Sequence, residues 1–397
     1  MRDLFLTFLR LGSTSFGGPL AHLGYFRREF VERRGWLDGE AFTQIVAFCS
    51  ILPGPTSSQV GMIVGTLRAG WRGALVAWLG FTLPSAIAMA LAGFALRAIE
   101  GGGSEPAWYI GLLAGLTAAA TAVVAQAVLL MAQAQCPDRE TQTVALAAMI
   151  LALALQAVPG LQWVPILAGA LAGALVLHRT SRIASSALPL AIPAGVALGC
   201  GVAFGLIVIG AASFAGRGEA GAFCATIVRA GTLVFGGGHI ILPLLQSLVG
   251  EGLIGAHDFY AGYGAVQAVP GPLNSFATFL GVANFSPLRG VAGAVVATLL
   301  IFAPSFLLVF ALAPVWNRLR TDRVAVGALR GAGAAVVGLL GAVLYSPLIV
   351  SMAHDVWRVA IALGAFTLIV VWKSPPWVVV AGAAAIGAVA AAAGAPV

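Results

Sequence analysis

Phe16-Gly17-Gly18-Pro19, Pro53-Gly54-Pro55 and Phe81-Thr82-Leu83-Pro84-Ser85 follow one another in the first half of the chain. Phe235-Gly236-Gly237-Gly238, Pro270-Gly271-Pro272 and Phe302-Ala303-Pro304-Ser305 follow in the second. Lesser landmarks keep the same order: Trp36-Leu37, Phe42 and Arg72-Gly73 answer to Leu253-Ile254, Phe259 and Arg289-Gly290. The offsets barely drift, at 235 − 16 = 219, 270 − 53 = 217 and 304 − 84 = 220. The chain is therefore an internal duplication, and each copy sets helix breakers inside apolar sequence. In a membrane, interrupted apolar segments at matching positions of two repeats mark substrate-binding elements.

The surrounding sequence is too apolar for a water-soluble domain. Of 397 residues, 60% are hydrophobic and 9% charged, and the mean hydropathy is +0.99, which places the chain in a bilayer. Residues 72–97, 106–134, 141–158, 161–178 and 188–212, then 289–315, 324–348, 356–372 and 376–394, are apolar stretches near the roughly 20 residues that span a membrane. Polar and Gly-rich residues interrupt the first apolar segment by Gly12, so no cleavable signal is expected. The net charge of +7 comes with no basic run carrying interleaved aromatics, so nucleic acid is not an expected partner. Cys49, Cys136, Cys200 and Cys224 form no CxxC pair and the histidines no HxxxH pattern, so no metal or other cofactor is expected.

Each half divides into six elements. In the first, one element covers about 3–30 and breaks at Phe16–Pro19, a second covers about 40–70 and breaks at Pro53–Pro55, and four uninterrupted spans fill 72–178. The segment 188–212 has no counterpart. The expected fold is an all-α polytopic membrane protein of two homologous repeats, 1–187 and 216–397, joined by a linking helix in 188–215. An even number of crossings per repeat plus one extra span inverts the second repeat, giving about 13 membrane segments in inverted topology. Arginine and lysine counts lean slightly toward a cytoplasmic N-terminus, although the cluster Arg27–Arg34 argues against it.

The breaks carry the chemistry. Prolines 53 and 55 each remove a backbone donor and Gly54 has little helical preference, so a helix ends here. Thr56-Ser57-Ser58 behind it are good caps for a new helix, with Gln59 next. The free first-turn amides and the helix dipole make an anion site. The second copy reads Pro270-Gly271-Pro272-Leu273-Asn274-Ser275. A plain kink is the bland alternative, but it does not need two prolines, a glycine and polar caps in both copies. Gly17-Gly18 and Gly236-Gly237-Gly238 allow unwound backbone beside a small ligand, with Thr14, Ser15 and Phe16 in one copy and Thr232 and Phe235 in the other; simple packing is the competing reading. Arg10 and Arg229 share a repeat position, 229 − 10 = 219. An arginine in an apolar helix costs at least ~2.5 kcal/mol and is a functional candidate, expected to face the interior; snorkelling to the interface is the alternative. His22 and His239 flank the Gly-rich breaks and titrate near neutral pH, but their offset, 239 − 22 = 217, leaves a packing role equally open. The spans hold no central carboxylate, which favours an anion over a cation.

This ordered, duplicated set resembles the chromate ion transporter (CHR) family. The matching residues are Phe16-Gly17-Gly18-Pro19 with Ala21-His22, Trp36-Leu37, Phe42, Pro53-Gly54-Pro55 with Gln59, Gly70, Arg72-Gly73-Ala74 and Pro84-Ser85, then Phe235-Gly236-Gly237-Gly238, Pro270-Gly271-Pro272 and Pro304-Ser305. Both halves are covered, as in a long-chain, two-domain member. The resemblance implies a multi-pass protein of the bacterial inner membrane that exports chromate from the cytoplasm, driven by the membrane potential or proton gradient, with sulfate as a competitor. The second copy departs in Gly238 for Pro19 and Asn274-Ser275-Phe276 for Ser57-Ser58-Gln59, so the half-sites are not expected to be equivalent. The expected partners are chromate, sulfate, the lipid bilayer and, as an option, a second copy in a homodimer. A sulfate or other oxyanion transporter is the first alternative. A chromate-reducing membrane enzyme is the second; it would need a flavin or nicotinamide site, and no GxGxxG is expected to follow a strand here.

Overall fold

The computed structural model describes residues 1–100, 106–156, 161, 164–177, 190–234, 241, 245, 249, 252–319 and 321–394. Among them every regular element is helical. The first repeat holds α1 (Arg2–Thr14), α2 (Gly18–Arg27, running on as a π-helical turn, Arg28–Arg33), α3 (Gly39–Ile51), α4 (Thr56–Glu100), α5 (Ala107–Gln135), α6 (Arg139–Leu155) and α7 (Val164–Val176). After α8 (Ala194–Phe214) come α9 (Glu219–Leu233), α10 (Ala256–Ala268), a 3-10 turn (Leu273–Ser275) leading into α11 (Phe276–Ala283), α12 (Gly290–Leu319), α13 (Arg323–Val343), α14 (Val356–Val370) and α15 (Pro376–Ala392).

The elements fall where the duplication places them. α3 and α10 begin 256 − 39 = 217 residues apart. Both end at a Pro-Gly-Pro, beyond which the chain resumes as helix at Thr56 and at Leu273. α4 is two helices joined at Ala69 and Gly70, where Gly70 has φ 63°. The sequence matches Gly290 to Gly73, but in conformation it answers to Gly70 (290 − 70 = 220): it has φ 71° and starts α12 as a separate helix. The aspartates expected outside the spans cap helices. Asp138 accepts from the Thr141 amide and Asp355 from the Arg358 amide, at equivalent positions (355 − 138 = 217), satisfying donors that a helix start leaves open.

Among the described residues five helices are long and apolar enough to cross a membrane: Thr56–Ala98, Ala107–Gln135, Ala194–Phe214, Gly290–Trp316 and Arg323–Met352. α7, α14 and α15 are apolar but shorter, as is the stretch Leu273–Ala283. α8, the segment between the repeats, has no buried residue and packs on α9 and α12.

The repeats are interlocked by a crossed exchange of helices. α5 packs on α14 and α15 of the other repeat, and its counterpart α13 packs on α6 and α7. At the crossings backbones touch: a Cβ on Gly111 would meet the Gly387 carbonyl, and one on Gly331 would meet the Gly169 carbonyl. These pairs are equivalent, since 331 − 111 = 220 and 387 − 169 = 218. Small residues let apolar helices approach where lipid supplies no hydrophobic drive between them. The contacts also give direction. Gln135, at the end of α5, lies against Gly333 midway along α13, whereas Thr121, midway along α5, reaches Met352 beyond the end of α13. Asp138, at the start of α6, pairs with Arg330 in the same stretch of α13. α5 and α13 therefore run antiparallel. Burial alone would raise the Asp138 carboxyl; its bonds from Thr141 and the Arg330 guanidinium outweigh that and hold it below the usual carboxylate range.

The crossed packing carries a test. Gly111→Leu and Gly331→Leu each drive a side chain into a facing backbone, at an overpacking cost of about 1–3 kcal/mol or more. Gly195→Leu on α8, where nothing lies within 4 Å, is the control. Thermal unfolding in detergent is expected to fall for the first two and not for the third.

Candidate functional site

The two Pro-Gly-Pro breaks are pinned to the opposite repeat by their own backbone. The Gly271 amide donates to the Ser15 carbonyl at 3.0 Å, and the Gly54 amide donates to the Val234 carbonyl. Ser15 and Val234 are equivalent, 234 − 15 = 219, and are the residues at which α1 and α9 end. Each repeat thus unwinds at two places, and each unwound amide finds its acceptor across the pseudo-symmetry. The glycines have φ 127° at Gly54 and 102° at Gly271, a region that side chains with a Cβ seldom enter. Here a Cβ would also strike Ser305 at Gly54 and crowd Ser85 at Gly271. Ser85 and Ser305 come from the duplicated Pro-Ser motif, so this contact too is exchanged between repeats.

Buried polar atoms gather around these breaks. Thr56, Ser57, Ser58 and Gln59 fill the first turn of α4, and all are buried. Gln59 Nε2 donates to the Pro53 carbonyl at 2.7 Å. Asn274 and Ser275 are fully buried in the 3-10 turn, and Ser275 Oγ donates to the Pro272 carbonyl at 2.8 Å. The expectation of N-caps is corrected here: Ser57 and Ser58 lie within the α4 helix, which starts at Thr56, and neither Pro272 nor Ser275 makes a side-chain cap. The Oγ atoms of Ser15, Ser58 and Ser305, Gln59 Oε1 and both side-chain polar atoms of Asn274 are buried with no hydrogen-bond partner among the described residues. Buried polar groups are normally satisfied, so this density of open ones marks a place where a polar ligand or water belongs.

A cavity of about 690 Å³ reaches these breaks from both repeats. Phe16, Gly17, Gly18 and Thr56 line it from one side and Gln267, Gly271 and Leu273 from the other. Gln126 of α5 and Lys373 of the α14–α15 loop contribute further polar groups. Phe16 rests on Trp377, ring centroids 6.2 Å apart. Lys373 is the residue that the motifs missed. It is the chain's single lysine and the one non-glycine with positive φ, 53°, among the described residues, a conformation that calls for explanation.

His22 is buried behind the cavity wall. Its Nε2 lies 3.1 Å from the Ser15 carbonyl and its Nδ1 3.2 Å from Ser57 Oγ. The other candidates lie apart. Arg10 is exposed, contrary to the expectation that it faces the interior: Leu4, Thr7, Phe8 and Leu11 take the buried face of α1, leaving Arg10 and Thr14 outside, with the Thr14 hydroxyl spent on the Arg10 carbonyl. Arg229 is half-buried and donates to Thr226 Oγ1 at 2.9 Å. It lines a second cavity between α8 and α9, beside Glu219. Thr232 lines that cavity too, its hydroxyl bonded to the Val228 carbonyl. The two arginines do not converge. Phe235, Gly236, Gly237, Gly238 and His239 lie outside the described residues, and no group of three or more potential metal ligands occurs among the described ones.

Comparison with known proteins agrees with this architecture. A chromate transport protein of Pseudomonas aeruginosa is 29% identical over 348 residues, 86% of this chain and 79% of its own. One of Cupriavidus metallidurans is 27% identical over 98% of this chain and 93% of its own, and a probable chromate transport protein of Synechococcus elongatus is 26% identical over 80% and 77%. No solved structure matches. Residues 2–174 and 221–388, one stretch in each repeat, match the Chromate transporter family, and the chain belongs to that family.

Proposed function

We propose that this protein is a secondary transporter that exports chromate across the bacterial inner membrane at the expense of the proton-motive force, and that the anion binds where the two Pro-Gly-Pro breaks meet. One observation carries the site: the reciprocal bonds from Gly54 to Val234 and from Gly271 to Ser15 hold two helix starts beside one cavity lined by both repeats. Unwound backbone at membrane depth is tolerated where it lines a protein cavity. The start of α4 offers donors and a partial positive charge to an anion, and Lys373 adds a full one. The relatives' names supply the oxyanion. Antiparallel α5 and α13 support an inverted repeat, with repeats 1–187 and 216–397 around the linking segment 188–215 and about 13 membrane segments.

The same geometry favours a second reading, transport of sulfate or another tetrahedral oxyanion. Hydroxyls, amides and a lysine sense charge and oxygen geometry and have no contact with the central atom. Uptake of labelled chromate into everted vesicles, with labelled sulfate in parallel and the gradient collapsed as control, tests both. Chromate uptake that needs the gradient and is competed by sulfate supports export from a general oxyanion cradle; no chromate uptake overturns the proposal.

Ser58→Ala and Asn274→Ala each remove a buried group without a partner among the described residues. A hydrogen bond to a charged ligand is worth about 1.5–3 kcal/mol, so each change is expected to raise the apparent KM for chromate and for sulfate by about tenfold or more. Thermal stability is expected to hold, because no protein hydrogen bond among the described residues is lost. A second comparison separates the cations. Lys373→Ala is expected to slow uptake most at low ionic strength, where the lysine's field is least screened. Arg10→Ala, on the exposed face of α1, is expected to leave uptake near the wild-type rate.

A further inference from the structure

His22 holds chemistry that the binding site as described does not use. It sits 1% exposed on α2, with Phe81 edge-on at 5.4 Å. Nε2 faces the Ser15 carbonyl, which only accepts, so Nε2 carries a hydrogen. That carbonyl also accepts the Gly271 amide, so the ring is tied to the junction between the repeats. The other nitrogen, Nδ1, faces Ser57 Oγ in the first turn of α4, one residue from the cavity-lining Thr56.

We propose that His22 is a positioning residue that takes up a proton together with the transported oxyanion, acting through Ser57. This rests on the reading that the cavity receives an oxyanion. In the neutral ring Nδ1 is a lone pair, so the Ser57 hydroxyl donates to it. A proton added at Nδ1 makes both ring nitrogens donors, and Ser57 Oγ then accepts. Its hydroxyl hydrogen is released to point elsewhere in the first turn, where Ser58 Oγ and Gln59 Oε1 have no partner among the described residues. One proton therefore places a positive charge beside the helix start and frees a donor there. Both changes favour an anion, and by linkage the anion favours the proton.

The charged and titratable groups on the elements packed around α2 are placed elsewhere. Glu29 is bound by Arg33 and Arg34, and Arg34 also by Asp3. Arg10 of α1, Arg27 of α2, Arg28 of its π-helical extension, Glu40 of α3 and Arg68 and Arg72 of α4 are exposed. Cys49 of α3 is a buried thiol. The proton and the anion travel the same way in this scheme. A dianion with one proton still carries net negative charge, so the electrical component of the proton-motive force, inside negative, drives it outward, and only the pH component opposes it.

The test is calorimetry on the purified full-length protein with sulfate and with chromate, in paired buffers of different ionisation enthalpy, from about pH 6 to 8. Sulfate keeps a fixed charge over that range, so proton uptake on binding it belongs to the protein. The expected result is uptake approaching one proton per anion, with affinity rising up to about tenfold for each pH unit lowered across the histidine's titration. His22→Gln, which keeps a donor but cannot titrate, is expected to bind without uptake and with little pH dependence. Ser57→Ala is expected to keep part of the uptake. Anion binding by the wild type with no uptake, or with proton release, overturns the inference while leaving the oxyanion site intact, and needs no variant. Undiminished uptake in His22→Gln overturns it as well. Failure of the wild type to bind either anion at any pH removes the oxyanion reading, and this one with it.

Discussion

Two backbone hydrogen bonds hold the centre of this molecule together: Gly54 to Val234 and Gly271 to Ser15. A helix broken inside a bilayer exposes donors and acceptors that lipid cannot satisfy, each at a cost of several kcal/mol. Neither repeat solves this alone. α1 unwinds at Ser15 and needs a donor for its last carbonyl; α10 ends before Pro270 and needs an acceptor for Gly271. The repeats exchange these needs, and the breaks become an inter-repeat joint. Duplication is thereby part of the chemistry, because a single repeat would leave its own breaks unpaired.

That joint explains why proline brackets glycine twice. The prolines end α3 and α10 and hold the flanking backbone extended. The glycine between them must take positive φ and must carry no side chain, because Ser305 and Ser85 of the opposite repeat occupy the space. Around the joint the chain leaves serine, glutamine and asparagine atoms buried and open. A protein whose only task was to fold would have no reason to pay that desolvation; a protein that binds and releases a polar solute keeps such groups available.

Much of this was legible in the sequence, because helix breakers are rare in apolar segments and a constant offset shows them to be duplicated. The breaks at Pro53–Pro55 and Pro270–Pro272 and the element boundary near Gly70 followed from local rules. The exchange of acceptors between repeats did not, because it is a tertiary pairing of groups that every residue carries. Arg10 illustrates the converse failure. Its position and repeat symmetry suggested the interior, yet a residue four positions from Leu6 and four from Thr14 follows their face of the helix, and that face is exposed. Lys373 lies on a loop, where apolar periodicity carries no information, and only its rarity and its backbone conformation single it out. Ser57 and Ser58 were recognised as important by composition, but their role depends on whether the helix begins before or after them, a shift of one or two residues.

The placement of charge follows from the same economy. A guanidinium in the centre of the bundle costs free energy whenever the anion is absent, which for a transporter is part of every cycle. Helix starts and hydroxyls present partial charges with far smaller desolvation, already oriented by the fold. The described structure keeps Arg10 outside and Arg229 in a separate cavity beside Glu219, and leaves to the cavity the dipole of α4, neutral polar groups and Lys373. A titratable His22 completes that logic. It supplies a further positive charge when the anion arrives and sheds it when the anion leaves, so that this charge is buried only while the anion is there to balance it.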